Sequence, residues 1–139
     1  METILKNIQD LIPQKAPFVM VTELISYGEE ELVAGFEVLE DNILVSERML
    51  SEAGIIENMA QSVALHTGYQ YFLLKKEPPT GYLGAIKKIE ISRLPKVGEF
   101  LETTITMLQE FMGISLVQIT VNIGGELIAT GQMKTVLAS

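Results

Sequence analysis

Cysteine is absent from this chain, and histidine occurs only once. The first absence excludes disulfides, thiolate nucleophiles and thiolate-held metals, and it suits a reducing cytoplasm. The second excludes a multi-histidine metal site within the chain, and no metal is expected. No uncharged run approaches the roughly 20 residues that a membrane-spanning helix needs. The opening residues METILKNIQDLIPQK also lack the basic start and apolar run of an export signal. A soluble, cytoplasmic protein without membrane insertion is the expectation. Positive charge is scarce too: ten Lys and Arg face eighteen Asp and Glu, and the net charge of −8 argues against nucleic acid as the main partner.

What is present fits one domain over residues 1–139, because 47% hydrophobic residues at this length can form a sizeable core. The longest helical segment is Ser51–Leu74, SEAGIIENMAQSVALHTGYQYFLL. At about 100° per residue, Ala53, Gly54, Glu57, Gln61, Ala64 and Gly68 share one stripe, and Ile55, Ile56, Met59 and Val63 share another. Both stripes are apolar or small, which is the pattern of a helix wrapped by other elements. Glu57 is therefore expected on a covered face, one turn from Gln61, where an unpaired carboxylate costs several kcal/mol.

Before this helix, Glu2–Leu11 shows helical spacing and ends at Pro13, which predicts a short amphipathic N-terminal helix. The β-branched run 18–27, the turn Gly28-Glu29-Glu30 and the run 31–38 predict a hairpin. Residues 41–50 have no clean period and read as a loop leading to Ser51, the expected N-cap. Pro78-Pro79 should stop the helix. Strand signals follow at 82–92, 100–110, 114–123 and 126–137, separated by Pro95–Gly98, Gly113 and Gly124-Gly125. Consecutive strands joined by tight turns imply an antiparallel sheet, and one fully apolar helix implies a sheet that curls around it. The expected class is α+β.

Six of the ten basic residues, Lys75, Lys76, Lys87, Lys88, Arg93 and Lys96, lie in one stretch. Such a stretch is either a solvated strand surface or a local basic patch. A patch of that kind on an acidic protein could receive an acidic carrier protein or a phosphate-bearing cofactor tail. His66 follows Glu57 by nine residues, about 180° around the helix, and is expected as a core or interface residue with a hydrogen-bond partner. Met20, Met49, Met59 and Met112 are candidates to line an apolar tunnel, although scattered methionines also serve as ordinary core.

Three blocks make the chain resemble the hotdog-fold β-hydroxyacyl-acyl-carrier-protein dehydratase family. They are Ile12-Pro13-Gln14-Lys15-Ala16-Pro17-Phe18, the helix block Ile55-Ile56-Glu57-Asn58-Met59-Ala60-Gln61, and a set formed by Leu83-Gly84, Pro95-Lys96-Val97-Gly98 and 122–129. The resemblance implies a curved antiparallel sheet wrapped around one central helix, and removal of water from a 3-hydroxyacyl thioester. In that chemistry a histidine takes the proton α to the carbonyl and the helix carboxylate protonates the departing hydroxyl. A backbone N–H at the helix start polarises the carbonyl. The site forms across a dimer, with histidine and carboxylate from different subunits.

The chain departs from the family in three places, the first being Gln14, which stands for the histidine of the family's opening block. Asn42-Ile43-Leu44-Val45 occupies the register of the histidine loop, and Ser51-Glu52 replaces the proline-glycine pair that opens the helix. Glu57 remains as the catalytic candidate, with Gln61, Gly54 and Glu52 as substrate-binding candidates. Lys87, Lys88, Arg93 and Lys96 are candidates for carrier binding. The resemblance implies that the substrate brings its own phosphopantetheine, from acyl-carrier protein or coenzyme A, so no resident cofactor is expected. Three functions are consistent with this set. One is a dehydratase in fatty-acid, lipid or polyene synthesis that uses another base, such as Glu47 or Glu52; the remaining polar neighbours, Glu23 and Arg48, carry little weight. Another is a hotdog thioesterase whose helix carboxylate activates water. The third is a non-catalytic acyl-binding subunit, or one that lends Glu57 to a heterodimer with a histidine-bearing relative. A homodimer or heterodimer joined through a sheet edge is expected, because one sheet and one helix leave an edge and a helix stripe uncovered.

Overall fold

The computed structural model describes residues 3–78 and 81–137, without the side chains of residues 81–83. Glu2, Pro79 and the side chain of Leu83, which the sequence reading used, lie outside the described residues. Eight strands and one long helix follow in the order β1 Glu23–Tyr27, β2 Glu31–Glu37, β3 Val45–Ser46, β4 Met49–Leu50, α1 Glu52–Leu73, β5 Gly81–Ile91, β6 Phe100–Phe111, β7 Ile114–Ile123 and β8 Glu126–Leu137. Six of them form an antiparallel sheet ordered β1-β2-β6-β7-β8-β5, and β3 pairs only with β4. Alternation sets the inner face: Leu101, Thr103 and Ile105 of β6 and Val117, Ile119 and Val121 of β7 are all buried beneath the helix. From α1, Ile55, Met59 and Leu65 are fully buried against that face. Burial of each such side chain contributes about 1.5–3 kcal/mol.

The helix starts where the sequence places it, with the Gly54 N–H donating to the Ser51 hydroxyl at 3.3 Å. It ends before the prolines are reached. Lys75 takes a left-handed φ of 57°, and the Lys76 N–H bonds the Tyr71 carbonyl at 3.0 Å, a six-residue closure of the last turn.

Two local expectations are corrected. The N-terminal segment forms only a 3-10 turn, Gln9–Leu11, and Leu5 pairs with Leu24 instead. Backbone bonds of 3.0 and 2.8 Å to Leu24 draw this stretch along β1, so tertiary pairing overrides its helical spacing. Residues 18–22 precede β1 rather than forming part of it.

The loop ahead of the helix is a small hairpin, not an irregular coil. Its turn residues Glu47 and Arg48 have φ of 53° and 63°, a conformation that costs roughly 1–2 kcal/mol for each non-glycine residue. Bonds to the turn at 95–98 hold it: Leu50 N–H to the Pro95 carbonyl at 2.8 Å, and Val97 N–H to the Arg48 carbonyl at 3.0 Å. That turn is itself held by Arg93, which pairs with Glu99 at 2.9 Å and Glu126 at 3.1 Å. The Arg93 hydrogen bond, then that of the Lys96 N–H, keeps the Glu99 carboxyl below its ordinary value of 4.5, and the two carboxylates raise Arg93 further.

Two predictions come from this packing. A methyl group at Gly68 would overlap the Leu11 carbonyl, whereas one at Gly84 would meet only ordinary contacts. Thermal unfolding of Gly68→Ala should show a loss of about 1–3 kcal/mol, with Gly84→Ala within about 0.5 kcal/mol of wild type. The second concerns pH. A carboxyl lowered in the folded state stabilises it above the unfolded value, and that stability drains as pH falls through 4.5 and below. Arg93→Gln should therefore be less stable than wild type at neutral pH, and the two denaturation curves should converge in acid. An equal gap at pH 7 and in acid would remove this ion pair from the account.

Candidate active site

Glu57 lies on the one side of α1 that the sheet and loops leave uncovered, together with the exposed Ala53 and the half-buried Ala60 and Ala64. This corrects the expectation of a covered carboxylate. The sheet covers the Ile55, Met59 and Leu65 side, and residues 11–20 and the β3–β4 hairpin cover the flank carrying Gly54, Gln61 and Gly68. Glu57 falls just past that flank, in water.

Gln61 is fully buried, and its amide meets three partners. Its Oε1 accepts the Met20 N–H at 2.6 Å, and its Nε2 donates to the Phe18 carbonyl at 2.8 Å and to Glu57 Oε2 at 3.0 Å. Asn58, which the sequence reading did not single out, completes the clamp. Its Nδ2 donates to the Met20 carbonyl at 2.7 Å, and its Oδ1 accepts from the Thr103 hydroxyl at 2.5 Å. The available signal was an amide one position beyond Glu57, inside an otherwise apolar turn of helix. Buried polar groups require such partners, since leaving one unmade costs about 1–3 kcal/mol.

At the helix start, Gly54 is buried under Leu50 and Leu44, and its amide is already taken by Ser51. Glu52 is exposed, and its amide belongs to the first turn, where backbone N–H groups have no partner within the helix. The hairpin carries no base in the histidine register: Ile43 is 47% exposed there, and Asn42 turns back to accept the Leu44 N–H at 2.8 Å. Glu47 and Arg48 are exposed at the hairpin turn, where Arg48 pairs with Glu40, and Glu23 is half-buried in β1. His66 is the expected core histidine. It is 4% exposed, bonds the Gly28 carbonyl through Nε2 at 3.0 Å and stacks on Tyr27. Burial, with Glu29 adding, raises the Tyr27 hydroxyl above its usual value.

The basic candidates separate in space and in availability. Lys87 and Lys88 are exposed on the edge strand β5 and Lys96 is exposed on the 95–98 turn, while Arg93 is engaged by Glu99 and Glu126. The methionines do not line a common tunnel. Met20 and Met59 are fully buried, Met49 is half-buried, and Met112 is 85% exposed in the β6–β7 turn. A groove of about 190 Å³ at the β5–β8 edge, lined by Glu90–Ser92 and Leu127–Thr130, includes neither Glu57 nor any methionine. Among the described residues no group of three or more His, Cys, Asp or Glu is placed to hold a metal, and no helix is long and apolar enough to cross a membrane.

Comparison with known proteins agrees with this architecture. The family model described as ApeP-like, ApeP dehydratase, matches residues 6–139. The 3-hydroxyacyl-[acyl-carrier-protein] dehydratase FabZ of Vibrio cholerae serotype O1 is 24% identical over 138 residues, covering 92% of this chain and 87% of that protein. Among solved structures, a chain of the dehydratase heterocomplex ApeI:P from Xenorhabdus doucetiae superposes with a TM-score of 0.88 at 17% identity, covering 96% of this chain and 91% of that one. A hypothetical thioesterase from Streptococcus pneumoniae, solved with coenzyme A, superposes with a TM-score of 0.69 at 10% identity, covering 84% and 85%. At these identities the structural likenesses show the fold, a hotdog.

Proposed function

The chain belongs to the ApeP-like dehydratase family, and from that premise we propose that it supplies the carboxylate half of an active site shared with a related hotdog subunit that supplies the base. The observation that carries this reading is the separation of the two candidate proton carriers. Glu57 is exposed on the bare stripe of α1, whereas His66 is buried and bound to the Gly28 carbonyl. No histidine stands in the loop, so two copies of this chain would still lack one there. The bare stripe and the outer edge of β5, which has no strand partner among the described residues, form the surface that a second hotdog subunit would cover. The solved relative that superposes at a TM-score of 0.88 belongs to a heterocomplex, which supports an unlike partner.

In the assembled site the substrate is a 3-hydroxyacyl thioester, delivered on the phosphopantetheine arm of an acyl carrier. The partner's base removes the α proton, and Glu57 protonates the departing hydroxyl. The first-turn amide of Glu52 faces the developing negative charge on the thioester oxygen, aided by the positive end of the helix dipole. Gly54 does not contribute its amide, because Ser51 holds it. Lys96, exposed on the 95–98 turn, is the candidate cation that stays available to an acidic carrier, since Lys87 and Lys88 lie on the β5 edge that the partner would cover and Arg93 is held by its ion pairs.

Mass spectrometry of 3-hydroxyacyl carrier protein tests this, with the chain alone, with its histidine-bearing partner, and with Glu57→Gln in that mixture. Water loss is expected only in the mixture, slowed by about 10²-fold or more by Glu57→Gln. Thioester hydrolysis by the chain alone would replace the reading with a thioesterase. Unchanged water loss with Glu57→Gln would remove Glu57 from the mechanism.

A further inference from the structure

We propose that the tip of the β6–β7 hairpin is a peripheral binding surface for anionic lipid, with Phe111, Met112 and Ile114 entering the headgroup region and Lys134 facing the lipid phosphates. The tip stands clear of its neighbour on one side. Pairing of β2 with β6 ends at Glu31 and Thr106, so residues 108–114 extend past β2. Leu108, Phe111, Met112 and Ile114 are 48%, 73%, 85% and 40% exposed, a concentration of large apolar side chains in a single short arm. Soluble surfaces normally carry such residues singly. The turn does not call for them either. Met112 and Gly113, between the paired Phe111 and Ile114, have φ of 52° and 77°, the tight hairpin turn in which Asn, Asp or Gly is favoured at the first position. A methionine there takes a left-handed backbone and presents an apolar side chain to water, and neither helps the hairpin to close.

The strand register decides which face meets the surface. In β7 the buried residues are Ser115, Val117, Ile119 and Val121, so Ile114 and Leu116 lie on the outer face, away from the helix. Cross-strand partners share a face, which sets Phe111 and Val136 beside Ile114, and Gln109 and Lys134 beside Leu116. These two outer rows of β6, β7 and β8 hold one lysine and no carboxylate, on a chain whose net charge is −8. Lys87, paired with Gln132 in the next row at the β5 edge, adds to the positive field in the free chain, and the acid of that row is Glu31, out on β2. Glu110 lies on the inner face opposite Ser115, so an anionic surface is met with the outer face down. The polar second row also limits the depth. It lies two residues behind the first, about 7 Å, which keeps entry within the headgroup boundary. A second copy suits this face poorly, because a two-fold contact between tips would bring each Lys134 toward its own counterpart.

Co-sedimentation of the full chain with lipid vesicles tests this, and it needs neither turnover nor a partner subunit. Vesicles of equal parts phosphatidylcholine and phosphatidylglycerol should carry the chain down, phosphatidylcholine alone should bind it about tenfold more weakly, and added salt should release it. Met112→Asn installs an Asn-Gly pair that suits the turn, so its thermal midpoint should not fall, while its binding to the mixed vesicles drops by about tenfold or more. Lys134→Glu should weaken binding to the mixed vesicles by about tenfold and leave the weak binding to phosphatidylcholine unchanged. A chain that stays in solution with the mixed vesicles would overturn the proposal, as would full binding by Met112→Asn. Equal binding to the two kinds of vesicle would overturn the anionic headgroup as the ligand. Light scattering that gives Met112→Asn a smaller mass than wild type would assign the tip to a second copy of the chain instead.

Discussion

Phe18–Met20 runs under the helix without a strand partner for its backbone, and the structure depends on how that backbone is satisfied. Asn58 and Gln61 do it from one face of α1, three positions apart, capturing the Phe18 carbonyl and both backbone groups of Met20. Neither amide could be buried without the segment, and the segment could not be buried without the amides. This reciprocal need sets the path of the chain into β1, seats Met20 in the core and brings the opening Pro13–Phe18 block against the helix. Thr103 ties the same clamp to β6, so helix, sheet and opening segment are fixed by one buried polar group, Asn58.

From this constraint the site follows almost passively. Gln61 has one proton left after satisfying the segment, and the residue one turn before it is Glu57. The hairpin ahead of the helix is fixed by a separate set of bonds, through Pro95, Arg48 and the Arg93 ion pairs. The helix side and the hairpin are thus anchored independently, and residues 43–45 leading into the hairpin are aliphatic. A hairpin that accepts two left-handed non-glycine residues and is bonded on both sides is a built structure, not a loose loop free to swing inward.

Much of this was legible in the sequence. Strand signals at 100–110, 114–123 and 126–137 anticipated β6, β7 and β8, and Ser51 marked the helix start. The errors have physical causes. A helical wheel shows which residues share a stripe but not which stripe a neighbour covers, and about 40° separates the buried Gln61 from the exposed Glu57. The spacing of Ile4, Leu5 and Ile8 suits a helix, but pairing of Leu5 with Leu24 lies 19 positions away in sequence and leaves no local signal. Arg93 looked like a free cation because its partners Glu99 and Glu126 come from separate turns. Asn58 was passed over because an amide in a helix is ordinary until the groups it meets are known.

Exposure of Glu57 also couples assembly to chemistry. In the free chain the carboxylate sits in water and is inexpensive to keep. Covering the stripe of Ala53, Ala60 and Ala64 with another subunit would strip water from it, a cost of several kcal/mol that a single amide bond from Gln61 does not offset. A partner that presents a cation or hydrogen-bond donor to the carboxylate would remove that cost. On the function proposed above, the group that offsets this cost is also the one that completes the site: something opposite Glu57 must be able to share a proton with it.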